Sequence, residues 1–236
     1  MGDAKHRWSA FSVLPSLVGV LFPRLVSRAN WDREYKSGGW ERLRSQDELV
    51  RYTAIVDLMR TLPKDSAVLD VGAGNGRLLE LLTGVGFGSY LGVDLSAEAL
   101  KQAANLGVPN ATFQESDAES FTTDQKFDAI IFNEVAYYLK RPAEVLARYE
   151  QYLRPGGMLI VSMFACTPAR WTWRQLDKSF DYIEAKRVQN ERKLVWDVKV
   201  VRAPVPRTAR MFGLFADALS ARPAARRSER RTALSR

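Results

Sequence analysis

Val68-Leu69-Asp70-Val71-Gly72-Ala73-Gly74-Asn75-Gly76-Arg77, followed by Leu78-Leu79-Glu80-Leu81-Leu82, decides how this chain folds. An apolar run closes on an acid, a glycine-rich loop follows, and a helical pattern then begins. That order predicts a buried strand, a tight turn and a helix start. Glycines in the turn permit backbone angles and a close ligand approach that a Cβ would block. The first turn of the helix aims free N–H groups at the same place.

The arrangement repeats downstream. Tyr90-Leu91-Gly92-Val93-Asp94 is a second apolar run ending in an acid, with Asp94 twenty residues after Gly74. An acid there can accept two hydrogen bonds from ribose hydroxyls. Ser96 stands where it would cap a helix starting at Ala97. Ala111 to Asp117 predicts a third strand with a third terminal acid, and Phe127 to Asn133 a fourth. Leu153-Arg154-Pro155-Gly156-Gly157 leads into a fifth, Met158 to Phe164. Open α/β sheets bind ligands at the carboxyl ends of their strands, so three successive acids there read as ligand contacts rather than as solvated loop carboxylates. Gly72 and Gly74 match the first half of G-x-G-x-x-G, but Arg77 stands where the dinucleotide pattern needs its last glycine.

The run G-x-G-x-G preceded by Asp70, with the spaced acids after it, resembles the motifs of class I S-adenosylmethionine-dependent methyltransferases over roughly residues 48 to 202. The resemblance implies S-adenosyl-L-methionine as cofactor. It also implies an α/β fold, a Rossmann-like, doubly wound seven-stranded sheet in the order 3-2-1-4-5-7-6, mostly parallel with an antiparallel last hairpin. By the same resemblance Asp70 acts on the methionine end, and the backbone of Gly72, Ala73, Gly74, Asn75 and Gly76 lines the cofactor. Asp94 with Leu95 takes the ribose, and Asp117 with Ala118 takes the adenine. Asn133 joins the cofactor contacts and opens the segment Asn133 to Leu139, where the fourth strand reaches the transferred methyl group.

Many small-molecule members of that family carry a histidine near the end of this segment. Here Tyr138 occupies about that place, and His6 is the only histidine in the chain, so that base is absent. The candidate catalytic residues are therefore Glu134, Tyr137 and Tyr138. Glu134 either binds an amine or hydroxyl or merely caps the following turn. The tyrosines either form an aromatic cage around a cationic or electron-poor centre or pack as plain core. The Asn-Pro-Pro-Tyr signature of nucleic-acid amino-methyltransferases is not met, because Glu134 and Val135 replace both prolines.

Composition fits one catalytic domain: 236 residues with 46% hydrophobic content are enough for a core and few for two. The lone Cys166 excludes an intramolecular disulfide, and one Cys with one His predicts no metal site. A cytoplasmic location is expected. Of the formal net charge of +8, eight arginines against Asp217 and Glu229 put +6 in residues 204–236. That basic tail is expected to be disordered, with attraction to anionic lipid or nucleic acid as the sharper reading.

At the other end, sixteen uncharged residues lie between Arg7 and Arg24, interrupted by Pro15 and Pro23. They are too few for a spanning helix, and three readings stand: a lid, an interfacial membrane helix, or a dimer contact. Trp31 to Arg42, rich in aromatics, is similar to the segment that covers cofactor and substrate in small-molecule methyltransferases. Residues 1–47 are thus taken as an apolar segment and aromatic lid, 48–203 as the Rossmann-like domain and 204–236 as the tail. Helices are expected over Glu48–Leu62 and Arg170–Phe180, and strands over Asp181–Val188 and Lys193–Val201.

The expected function is methyl transfer to an oxygen or nitrogen of a small-molecule acceptor, which the two ends suggest is apolar or lipid-linked. No nucleic-acid partner is expected, a peripheral membrane contact stays open, and no feature specifies an oligomeric state. A nicotinamide-dependent oxidoreductase on a similar sheet and a nucleic-acid methyltransferase aided by the basic tail are the alternatives.

Overall fold

The computed structural model describes residues 27–203. The apolar stretch before Arg24 and the arginine-rich tail after Ala203 lie outside the described residues, so the readings attached to them rest on sequence alone. Seven strands form one sheet in the order β3-β2-β1-β4-β5-β7-β6. They are β1 (Ala67–Val71), β2 (Ser89–Asp94), β3 (Ala111–Glu115), β4 (Phe127–Asn133), β5 (Leu153–Phe164), β6 (Glu184–Gln189) and β7 (Val195–Arg202). The first five pair in parallel, whereas β7 pairs antiparallel with both β5 and β6.

Six α-helices complete the described chain: α1 (Arg28–Lys36), α2 (Gln46–Met59), α3 (Arg77–Leu82), α4 (Ala97–Ala104), α5 (Pro142–Glu150) and α6 (Thr167–Leu176). The sheet is covered on both faces, which explains why its central strands read as continuous apolar runs. Val68, Ala129, Ile131 and Ile160 pack with Ile55 and Leu58 of α2 and Leu79 of α3. Leu69, Ile130, Phe132 and Val161 point the other way, onto Tyr149 of α5 and Trp173 of α6. Successive residues of one strand thus feed two cores.

Several boundaries differ from the sequence expectation for identifiable reasons. Helix α2 begins two residues before Glu48, because Asp47 and Glu48 fill a polar first turn that favours acids but breaks apolar periodicity. Strand β5 begins at Leu153 rather than Met158. The Arg154–Gly157 stretch forms a register shift against Phe127 and Ala129 within the strand instead of a turn before it. Helix α6 starts at Thr167, with Pro168 accommodated in its first turn, and stops at Leu176.

Helix α1 lies against α4 and the end of β3 by polar contacts that sequence periodicity does not reveal. Asp32 Oδ1 accepts from Ser96 Oγ at 2.6 Å and from the Glu98 N–H at 3.2 Å. Ser96 in turn accepts from the Ala99 N–H at 3.1 Å, the helix cap expected of it. Arg28 pairs with Glu115, and Gln102 Nε2 donates to the Tyr35 carbonyl at 3.2 Å. Residues on β3 and α4 therefore hold the aromatic segment in place over the glycine loop.

Candidate active site

The carboxyl ends of β1, β2 and β4 open into a cavity of about 360 Å³. It is lined by Asp70, Gly72, Ala73, Gly74, Asn75, Asp94, Leu95, Asp117, Ala118, Asn133, Glu134, Tyr137 and Tyr138. Every candidate site residue but one therefore meets in the same space. The exception is Gly76. It starts α3 with a φ of 80°, and a Cβ there would lie 2.7 Å from Leu106 Cδ1 and 3.1 Å from Ala103 Cβ. The lack of a side chain there makes room for Leu106 and Ala103, beside the backbone contact to the cofactor expected of it.

The acids differ in their roles. Asp94 uses both oxygens on backbone: Oδ2 accepts from the Gly74 N–H at 2.9 Å and Oδ1 from the Ser96 N–H at 2.8 Å. It thereby ties the glycine loop to the start of α4, with lone pairs left for a ligand hydroxyl. Gly74 has a φ of 55°, and Tyr35 approaches so closely that a Cβ would sit 2.7 Å from its hydroxyl. Asp70 Oδ2 accepts from Tyr90 Oη at 2.6 Å, while its Oδ1 is buried without a partner. Burial pushes the Asp70 carboxyl up to about 7, against the Tyr90 hydrogen bond, and the nearby Asp94 adds to the rise. An orphaned, buried carboxylate oxygen is what the ammonium of a methionine end would satisfy. Asp117 is exposed, and its Oδ1 accepts from the Glu119 N–H at 2.8 Å.

Beyond these acids the wall is aromatic. Tyr35 and Trp40 have ring centroids 5.8 Å apart, Trp40 and Trp31 5.3 Å, Trp31 and Tyr138 5.4 Å, and Tyr138 and Tyr137 4.7 Å. Tyr137 Oη donates to Glu134 Oε2 at 2.7 Å, while Glu134 Oε1 is buried and unpartnered. Burial pushes the Glu134 carboxyl up to about 7, opposed by the charge of Arg51 and by the Tyr137 hydroxyl.

Arg51 is the main residue that the sequence reading missed. Its side chain is 1% exposed, and it donates from Nε to Glu48 Oε2 at 2.9 Å, from Nη1 to Asn133 Oδ1 at 2.9 Å and from Nη2 to Tyr52 Oη at 3.2 Å. A signal was present: Arg51 shares the buried face of α2 with Ile55 and Leu58, where a charge is rare unless paired. Phe164, Cys166, Leu194 and Trp196, also in the lining, come from the ends of β5 and β7 and carry no motif. Among the described residues, no group of three His, Cys, Asp or Glu side chains is placed to hold a metal ion.

The raised Glu134 carboxyl has a consequence for stability. Between about 4.5 and about 7 the folded chain keeps a proton there that the unfolded chain has lost. The group's contribution therefore falls as pH rises through that window and is level above it. Glu134→Gln is expected to stabilise the ligand-free protein by on the order of 2 kcal/mol at pH 8 and by little at pH 4.5. Urea denaturation at the two pH values measures this, and an equal effect at both would contradict it.

Comparison with known proteins bears on what this cavity holds. A family model described as a methyltransferase domain matches residues 62–202. Malonyl-[acyl-carrier protein] O-methyltransferase of Halalkalibacterium halodurans is 32% identical over 123 residues, 48% of this chain and 45% of that protein. Human EEF1A lysine methyltransferase 2 is 25% identical over 194 residues, 70% of this chain and 77% of that protein. The match thus spans under half the length of the first relative. Among solved structures, the N-methyltransferase NodS from Bradyrhizobium japonicum WM9, bound to S-adenosyl-L-homocysteine, superposes with a TM-score of 0.65. It is 21% identical, with 75% of this chain and 98% of that chain covered, and the likeness concerns the fold.

Proposed function

Because the chain belongs to the class I S-adenosylmethionine-dependent methyltransferases, as its methyltransferase-domain match implies, we propose that it methylates an oxygen or nitrogen of a small-molecule acceptor. The observation that carries this reading is one cavity running from the acids at three strand ends to Glu134, Tyr137 and Tyr138. Asp70 holds the methionine amino group, the Gly72–Gly76 backbone lines the cofactor, Asp94 takes the ribose and Asp117 the adenine. The cofactor supplies a methyl group already activated on a sulfonium. The protein's own task is then to hold the nucleophile in line and keep water out, and to remove a proton only where the acceptor arrives protonated.

In this proposal α1 and the turn after it form a lid that leaves room for a small acceptor. The cavity volume supports that size class, since about 300–1,000 Å³ is typical of small-molecule sites. An apolar or lipid-linked acceptor is the finer part of the reading. Trp171 is 65% exposed on α6, with Arg170 and Arg174 exposed beside it, a combination suited to an anionic membrane surface. No helix among the described residues is long and apolar enough to cross a membrane.

The test is to incubate the full chain with methyl-tritiated S-adenosylmethionine and a cell extract, then separate low-mass, protein and nucleic-acid fractions. Label is expected in the low-mass fraction, with partition into organic solvent if the acceptor is apolar. Label confined to protein or RNA would contradict the small-molecule reading.

A further inference from the structure

The acceptor end of the cavity carries a chemical preference. Its rings form a continuous chain from Tyr35 through Trp40, Trp31 and Tyr138 to Tyr137, and that chain ends on a carboxylate through the Tyr137–Glu134 hydrogen bond of 2.7 Å. Ring faces attract cations. Glu134 is held in the left-handed backbone region, φ 64°, a conformation that residues other than glycine adopt at a cost and that concentrates at functional sites. Its N–H is fixed on the Ser162 carbonyl at 2.9 Å. With Oε2 occupied by Tyr137, Oε1 is left buried with no donor. A buried acceptor without a donor is costly unless a ligand supplies one.

The charges around it narrow the choice. Each of the three Arg51 nitrogens already donates, to Glu48, Asn133 and Tyr52. Arg42 lies over the Trp40 ring, 4.6 Å from its centroid. A carboxylate acceptor beside Glu134 and Glu48 would meet like charges with the buried cation already engaged, and a developing oxyanion would meet the same repulsion. An ammonium meets ring faces and a free carboxylate oxygen.

We propose that the acceptor is a primary or secondary amine and that Glu134 Oε1 both receives it as an ammonium and takes its proton. The N–H bond breaks as the O–H bond forms, and the nitrogen keeps the electron pair needed for attack. This rests on the methyl-transfer reading of the cavity. The titratable and charged groups facing Glu134 are Arg51, Glu48 and Tyr52 from α2, Tyr137 and Tyr138 from the turn after β4, and Cys166 ahead of α6. Arg51, the Tyr137 hydroxyl and the Phe164 backbone N–H hold the carboxyl down, while burial, the largest influence, and Glu48 raise it to about 7, a useful value for a base at neutral pH.

The experiment is calorimetric titration of the full chain, saturated with S-adenosylhomocysteine, with n-hexylamine, n-hexanol and hexanoate at pH 8 and pH 6. Hexylamine is expected to bind at least tenfold more tightly than the other two at pH 8. It is expected to lose about tenfold at pH 6, where Glu134 keeps its proton. Glu134→Gln is expected to erase the preference and the pH dependence while S-adenosylhomocysteine affinity stays within threefold. A preference for hexanoate, equal binding or no binding of the three, or an amine preference surviving in Glu134→Gln would overturn the proposal. Failure of S-adenosylhomocysteine to bind would instead overturn the methyl-transfer reading beneath it.

Discussion

Asp94→Ala is expected to weaken S-adenosylhomocysteine binding by roughly two decades or more while leaving the sheet folded. Two separate losses add to this. In the bound state a carboxylate that accepts ribose hydroxyls disappears, and a hydrogen bond to a charged group is worth about 1.5–3 kcal/mol. In the free protein the same carboxylate holds the Gly74 N–H at 2.9 Å and the Ser96 N–H at 2.8 Å. Without it the glycine loop is no longer set for the cofactor before binding, and ordering it then subtracts from affinity. Asp94→Asn keeps one acceptor and is expected to fall between the two. Calorimetry on the three proteins decides, and an unchanged affinity in Asp94→Ala would show that this carboxylate does not face the ligand.

Arg51→Met should produce the largest change in stability, a loss of about 3–5 kcal/mol, which is the usual consequence of removing one partner of a buried ion pair. The guanidinium is 1% exposed and bridges Glu48, Asn133 and Tyr52. Its removal leaves Glu48 and Glu134 without their buried counter-charge, and methionine replaces the volume but none of the donors. The Glu134 carboxyl, which Arg51 holds down, should then rise further. Adding Glu134→Gln to Arg51→Met is therefore expected to recover part of the loss, a coupling that urea denaturation of the four members of the cycle measures. Additive effects would mean that the two side chains do not share one electrostatic site.

The parts of this fold visible in the sequence are those set by local rules. Apolar runs ending in Asp70, Asp94 and Glu115–Asp117 mark strands whose ends face one edge, and the glycine loop marks where the first strand turns into a helix. The strand order and the antiparallel β7 also agree with what those motifs implied. What stayed hidden depends on contacts between distant segments. Gly76 repeats the loop's glycine pattern, yet a further reason for it is the side chains of Ala103 and Leu106, which no local spacing discloses. Arg51 sits in a helix that reads as an ordinary amphipathic one, and its partner Asn133 lies 82 residues away. Asp32 reads as a surface charge until the fold brings it under Ser96, 64 residues on. The β5 register shift is invisible for a different reason: Pro155-Gly156-Gly157 is good turn chemistry, and only pairing with β4 keeps it within the strand.

S-adenosylmethionine is expected to bind at the carboxyl edge of this sheet, facing Asp70, Asp94 and Asp117. Titration calorimetry of the full chain against S-adenosylhomocysteine and, separately, NADH tests this most directly. Saturable one-to-one binding of S-adenosylhomocysteine, weakened in Asp94→Ala, is expected, with no measurable heat from NADH. Binding of NADH with none of S-adenosylhomocysteine would contradict it.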